Sequence, residues 1–341
     1  MALAEKPKQS KQNLKLKIMK KLNLTYVLVA IIILFSAACK KDKTNGNTAN
    51  SAKEFAAIFG PQVQNVKING SISNTFTLKG GTKITIPAGA IKLGGVAVTG
   101  DISIDAMEVL KRSDVLFSGT NTNHISGAPL ASDGFIYLNA NVNGTKVDQA
   151  LSAAIKISIP TNRTGTTQIW EGVEKVGADN QMAWQAPVQN PNGGGVQIKR
   201  EADVNGGTFT FDMGNLGWIN CDVFYSYTNP KTTTRVTLVN NPGAMASFRA
   251  FSGETFVFFC AKGSNVAAQI YTPDGTNKVK SYDDVMPIGA QGKYLSFSIK
   301  DGKYYYAELE TTIVANQNIT LSLVETTEAQ VQAAINSLNN Y

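Results

Sequence analysis

The sequence predicts an all-β protein: tandem antiparallel β-sandwich domains behind a lipoprotein signal peptide and a flexible tether, closed by a short C-terminal helix. Three observations carry this. Apolar residues alternate with polar ones at Ile84 and Ile86, Ile102 and Ile104, Ile136 and Leu138, Ile155, Ile157 and Ile159, Phe209 and Phe211, Leu295, Phe297 and Ile299, and Ile319, Leu321 and Leu323. That period of two marks half-buried strands. Turn-forming pairs fall among these runs at Asn143-Gly144, Asn205-Gly206, Pro242-Gly243, Asp274-Gly275 and Asp301-Gly302, as hairpins require. No long helical pattern separates the strands, which points to sandwiches rather than to a parallel sheet with crossover helices.

The first element is the leader. Lys20 and Lys21 precede an apolar run, Tyr26 to Phe35, that ends at Ser36-Ala37-Ala38-Cys39. A positive start, a short apolar middle and small residues at the cut are the three parts of an export signal. The run is too short to span a bilayer as a helix. Cys39 after two alanines is the expected lipid-attachment residue, with residues 1–38 removed and Met19 the expected true start; Ser36 stands where lipoprotein cleavage sites usually carry Leu, and the alternative is an ordinary signal peptide cut nearby or an uncleaved anchor. Residues 39–51 contain Lys, Asn, Thr, Gly and Ala without a large apolar side chain, and so read as a lipidated tether. Lysines beside the acyl chains add attraction to anionic lipid. The residue after Cys39 is Lys40 rather than Asp, which by the sorting rule common among bacterial lipoproteins implies the outer membrane, at its surface or periplasmic face.

The body beyond the tether is expected as an N-terminal β domain over 52–229, a C-terminal β-sandwich domain over 230–325, and a helix within 326–341. Ser51 to Phe59 has the Ser start and Gly60-Pro61 stop of a helix, and Thr327 to Leu338 places Val331, Ala334 and Leu338 on one face. The chain carries a formal +7, but lysines of the leader supply most of it, so the exported part is close to neutral. This lacks the basic footprint of nucleic-acid binding. With Cys39 acylated, Cys221 and Cys260 form an even pair in an oxidising compartment, a candidate disulfide whose alternative is two buried thiols.

The string Gly80-Gly81-Thr82-Lys83-Ile84-Thr85-Ile86-Pro87-Ala88-Gly89-Ala90-Ile91, followed by Gly100-Asp101-Ile102, resembles the opening of the spectrin-binding β module of ankyrins and netrin receptors, over about 75–160. Ser132 to Ala140 and Leu216 to Asp222 resemble strings of a group of poorly characterised bacterial surface lipoproteins that share this module. The resemblance implies an extracytoplasmic β protein without an assigned chemistry. Some relatives of the ankyrin module cut themselves at a His-Phe-Ser sequence, and His124-Ile125-Ser126 is similar to it apart from Ile125.

Few constellations suggest chemistry. His124 is the only histidine, which excludes a His-rich zinc site and leaves a Ser-His-Asp triad one candidate base with no nucleophile elbow around it. The stretch Ser118 to Ser132 reads as a solvated polar loop. Asp101 with Asp105, and Asp283 with Asp284, are paired carboxylates of the kind glycan cleavage uses, although solvated strand faces carry such pairs routinely. Asp274-Gly275-Thr276-Asn277 lacks the spacing of a calcium loop. Trp184, with polar neighbours, and Tyr305, opposite Tyr304 and Tyr306 on its strand, are the candidate ligand contacts, since flat aromatic faces stack on sugar rings. The expected function is a membrane-anchored, non-enzymatic binding or scaffold lipoprotein, without a cofactor, recognising a protein or glycan partner. The alternative is an enzyme, self-cleaving at Ile125-Ser126 or hydrolysing glycans with carboxylates.

Overall fold

A computed structural model describes residues 48–341 apart from 177–180, 188–195, 197, 206, 226–227 and 246–252. The leader, Cys39 and most of the tether lie outside the described residues. In the first half, helix α1 (Ala52–Phe59) precedes strands β1 (Gln64–Asn69), β2 (Asn74–Thr77), β3 (Lys83–Ile86), β4 (Lys92–Leu93), β5 (Val96–Ala97) and β6 (Asp101–Val109). Helix α2 (Arg112–Phe117) then leads to β7 (Leu130–Val142), β8 (Thr145–Lys146), β9 (Ala150–Pro160), β10 (Thr167–Val176), β11 (Gln181–Gln185), β12 (Glu201–Asn205), β13 (Thr208–Asn215) and β14 (Gly217–Phe224). The second half holds β15 (Lys231–Thr232), β16 (Arg235–Val239), β17 (Thr255–Ala261), β18 (Ala268–Gln269), β19 (Thr272–Pro273), β20 (Lys278–Lys280), β21 (Met286–Pro287), β22 (Gln291–Lys300), β23 (Lys303–Thr312), β24 (Asn318–Ser322) and β25 (Val324–Thr326), and ends in α3 (Glu328–Ser337).

The protein is predominantly β, as its alternating pattern dictates. Strands run in the order β1-β6-β7-β14-β10-β12-β13-β9-β3-β2, but the join between β10 and β12 is only two residue pairs wide. There the ladder folds over, so that Ile102, Ile104, Ile136 and Leu138 from one layer meet Ile84, Ile157, Ile159 and Phe209 from the other. This is the first sandwich core. A second forms where β18-β17-β22-β23-β25 covers β19-β20-β16-β24, burying Val257, Phe259 and Tyr294 against Val236, Leu238, Ile319 and Leu321. One pairing departs from the antiparallel expectation: β16 and β24 run parallel.

A third core lies between these two. Val109, Phe135, Trp170 and Trp184 of the first half pack with Phe256, Phe258, Leu295 and Phe297 of the second, and Phe55, Leu116, Val331 and Ile335 of the three helices close it. The sheets change partners near Asn229-Pro230, where the sequence suggests a boundary, but the packing does not stop there: Thr48–Tyr341 is one compact unit. The shared core explains β17. All seven of its residues are buried, because Phe256, Phe258 and Cys260 face the seam while Val257, Phe259 and Ala261 face the second sandwich. A strand covered on both sides reads as an unbroken apolar run.

Local signals act as their chemistry requires. The Ser51 hydroxyl accepts the Glu54 N–H at 3.3 Å to start α1, and Thr327 accepts the Gln330 N–H at 3.2 Å to start α3. Asp301 and Gly302 take φ of 51° and 74° in the tight turn between β22 and β23. The Gly80-Gly81 pair is held by Glu108, a buried carboxylate that accepts N–H groups of Gly80 at 2.7 Å and Thr82 at 3.0 Å.

Candidate functional site

Trp184 is fully buried in the seam, and its indole N–H donates to the Asn121 carbonyl at 2.7 Å. It is therefore a core residue and not an outer-strand ligand contact. Its polar neighbours in sequence mislead because β11 lies against a polar but buried segment. Tyr305 is half-buried against the second sandwich core, with its hydroxyl 3.4 Å from Glu325 Oε2, while Tyr304 and Tyr306 face the seam. Both faces of this aromatic strand are thus packed, and Tyr305 does not stand clear as a stacking platform.

The two cysteines are free and buried, one in the first core and one in the seam, so the candidate disulfide is not formed. Burial pushes the Cys260 thiol up to about 12, and drives Cys221 upward as well. Neither is a ready nucleophile. Asp283 and Asp284 are exposed, and Asp283 pairs with Lys280 at 2.7 Å. Asp101 is exposed, and Asp105 accepts a hydrogen bond from Asn65. Asp274 Oδ2 already meets Lys278 at 3.0 Å and Arg235 at 3.4 Å. Among the described residues, no group of three or more His, Cys, Asp or Glu gathers to hold a metal.

The stretch read as a solvated loop is instead a polar strap, and Thr120 to Asn123 are buried. Asn121 Nδ2 donates to the Met182 carbonyl at 2.9 Å, binding the strap to the first half. Asn123 Oδ1 accepts the Gln269 N–H at 2.8 Å and Thr122 Oγ1 accepts the Ala267 N–H at 3.0 Å, binding it to the second. Its tip is different. Ile125 and Ser126 are exposed, Ser126 Oγ lies 2.8 Å from His124 Nδ1, and the Ser126 N–H points to the same nitrogen at 3.2 Å. Nδ1 therefore acts as an acceptor, and burial among Trp170 and Phe224 lowers the imidazole pKa and favours this neutral form.

A polar site outside all of these candidates forms where the strands carrying Ser132 to Ala140 and Leu216 to Asp222 pair. Asp222 on β14 lies opposite Ser132 on β7, but Asn220 lies opposite Phe135, so β7 carries one extra residue. This bulge is possible because Gly134 adopts φ +112°, and bulges re-aim side chains beside functional sites. Ser132 Oγ donates to Asn220 Oδ1 at 3.1 Å, and Asn220 Nδ2 donates to Asp222 Oδ2 at 2.6 Å. Asp222 Oδ1 is buried without a hydrogen-bond partner. Burial raises the Asp222 carboxyl to about 8, against the pull of the Ser132 and Asn220 hydrogen bonds. It is a neutral acid over most of the physiological range. Asp133, next to the bulge, meets Arg163 Nη2 at 2.9 Å; burial raises its pKa while Arg163 holds it down.

Ser132, Asp133 and Arg163 line an open cleft of about 470 Å³, with Asn265 on its other wall. Asn265 belongs to the second half, and its side-chain amide donates to the Ser132 carbonyl at 3.0 Å. A second cleft of about 510 Å³ shares Leu110, Gly263, Ser264 and Asn265 with the first and extends to Arg112 and Tyr341. The two make one groove around the Gly263–Asn265 turn, each part within the usual size of ligand pockets, about 300–1,000 Å³. The signal for this site was present in the strings Ser132 to Ala140 and Leu216 to Asp222. What periodicity does not give is their pairing. No family model, no curated protein and no solved structure matches this chain.

Proposed function

We propose that the chain is an outer-membrane lipoprotein, acylated at Cys39, whose body binds a glycan in the groove between its two sandwiches without turning it over. The observation that carries this is the convergence of the Ser132-Asp133 bulge, Arg163 and Asn265 on one open cleft. Carboxylate, guanidinium and amide are planar groups with paired donors or acceptors, suited to the adjacent hydroxyls of a sugar. The export-type leader and the likeness to surface lipoproteins support the address.

The test is retention on immobilised cell-envelope glycans, with product analysis of the eluate. Wild-type protein is expected to be retained without product, and Asp133→Asn combined with Arg163→Gln to lose about tenfold or more in affinity. Changing both partners avoids leaving one charge unpaired. Release of shortened glycan would overturn the non-catalytic reading.

A second reading rests on the 2.8 Å approach of His124 Nδ1 to Ser126 Oγ. In it the imidazole takes the hydroxyl proton, Oγ attacks the Ile125 carbonyl carbon, the imidazolium returns that proton to the peptide nitrogen as the C–N bond breaks and the Ser126 amine is freed, and water hydrolyses the resulting ester. This reading expects two fragments on a denaturing gel and a single band for Ser126→Ala. An intact wild-type band removes it.

A further inference from the structure

Arg112 is the residue of the groove that the glycan reading leaves unexplained. It opens α2, is 5% exposed, and lines the second cleft. Only Nη2 has a hydrogen-bond acceptor, the Ser264 carbonyl; Nε and Nη1 are buried with none. Among the described residues no carboxylate pairs with it. A guanidinium taken out of water without a counter-ion is costly, and buried charges in folded proteins are ordinarily paired. The groove end where it sits is open, so the missing partner can come from solution.

The charges facing Arg112 leave room for an anion. Lys262 and Lys293 point at the Tyr341 ring, 5.6 Å and 5.0 Å from its centre, but are neutralised by Glu310 at 2.8 Å and Glu308 at 2.9 Å. Tyr341 turns its ring to Arg112, its centre 5.9 Å from the guanidinium carbon, and its main-chain oxygen accepts the Gly263 N–H at 2.9 Å. Asp114 is engaged by the backbone N–H of Lys111 at 3.1 Å. Lys111 shares the cleft lining and adds positive potential. Burial lowers the Arg112 pKa, and Cys260, Tyr341 and Tyr225 oppose that shift.

We propose that Arg112 receives the carboxylate or phosphate of an acidic saccharide whose hydroxyls occupy the adjoining Asp133–Arg163 cleft. The inference rests on the glycan reading and adds the charge of the ligand. One end of the groove holds a compensated carboxylate–guanidinium pair and amides, which favour uncharged hydroxyls. The other holds the Arg112 guanidinium, which has no ion-pair partner among the described residues. The two ends meet at Leu110, Gly263, Ser264 and Asn265, so one ligand can span them.

The test is titration calorimetry of the purified lipid-anchored protein in detergent with glucuronate, glucose 6-phosphate, glucose and a tri-glutamate peptide. Both acidic sugars are expected to bind about tenfold or more tightly than glucose, and Arg112→Gln to erase that preference. Replacing an unpaired buried charge should not lower the melting temperature. If Arg112→Gln fails to fold, exposed Lys111→Gln serves instead and is expected to weaken the acidic sugars about twofold to threefold. Glucose binding as tightly as glucuronate would overturn the anion assignment and leave the glycan reading standing. Uptake of the peptide with no sugar bound would overturn both.

Discussion

Trp184→Ala is expected to cost about 3–5 kcal/mol of folding stability, the range for removing a fully buried large aromatic. Two losses combine in it. The indole fills the seam against Phe135, ring centres 4.9 Å apart, and truncation leaves a cavity there. It also strands the Asn121 carbonyl, which the indole N–H satisfies at 2.7 Å. The effect should reach both sandwiches. The Trp184 backbone N–H donates to Asn123 and its carbonyl accepts from Ile125, so the strap that ties β11 to Gln269 and Ala267 is built on this residue. Urea unfolding, followed by near-ultraviolet and far-ultraviolet circular dichroism together, should show one coincident transition shifted to lower urea. Tyr305→Ala, which opens only the half-buried edge of the second core, should shift it much less. Two separated transitions in the wild type would mean that the halves fold apart and that the shared core contributes little.

The limits of the sequence follow from the same packing. Where a sheet has one buried face, as in β6 or β9, alternation is plain, and Ile102, Ile104, Ile155, Ile157 and Ile159 all fall in the first core as their spacing dictates. Where a third core covers the other face, as on β17, the period of two vanishes and so does the signal. Helix α2 is short and begins at Lys111-Arg112 without a Ser, Thr, Asp or Asn cap, so nothing announces it. The strap has the Asn, Thr and Ser composition of an exposed loop because its hydrogen bonds need those groups, and composition does not tell whether their partners are water or backbone. The polar neighbours of Trp184 mislead for the same reason. The groove was half legible. Ser132 to Ala140 and Leu216 to Asp222 stood out as strings, but only the sheet register sets Ser132 opposite Asp222 and inserts the bulge that turns Asp133 toward Arg163. Arg112 gave no signal, since an arginine beside a lysine looks like solvated surface until its burial is known.

The second large effect is a loss of stability as the pH rises, with Asp222 at its source. Its carboxyl sits at about 8 in the folded chain, because burial opposes the charged form, whereas an unfolded aspartate titrates near 3.9. A raised folded value means that the native state holds its proton longer than the unfolded state does. The contribution is complete below about pH 4 and falls as pH climbs toward 8, with a slope of at most about 1.4 kcal/mol per pH unit. Asp133, raised in the same direction, steepens the trend, while Arg163 limits its share. Burial is the main cause of the Asp222 shift, nearby Asp133 adds to it, and Oδ1 has no donor to stabilise the charge that ionisation would place on it. Asp222→Asn keeps an acceptor for the Asn220 amide and cannot ionise. It is expected to raise the urea midpoint at pH 8 by an amount worth a few kcal/mol, to leave it nearly unchanged at pH 4.5, and to flatten the profile between. Asp222→Ser, smaller and equally neutral, separates the lost charge from the shape of the side chain and should flatten the profile too, at lower overall stability. Because His124, with its lowered pKa, pushes stability the other way, the difference between the two profiles is the readout, and an Asp222→Asn profile parallel to the wild type would show that Asp222 is ionised in the fold and that the polar network around Ser132 and Asn220 accommodates its charge.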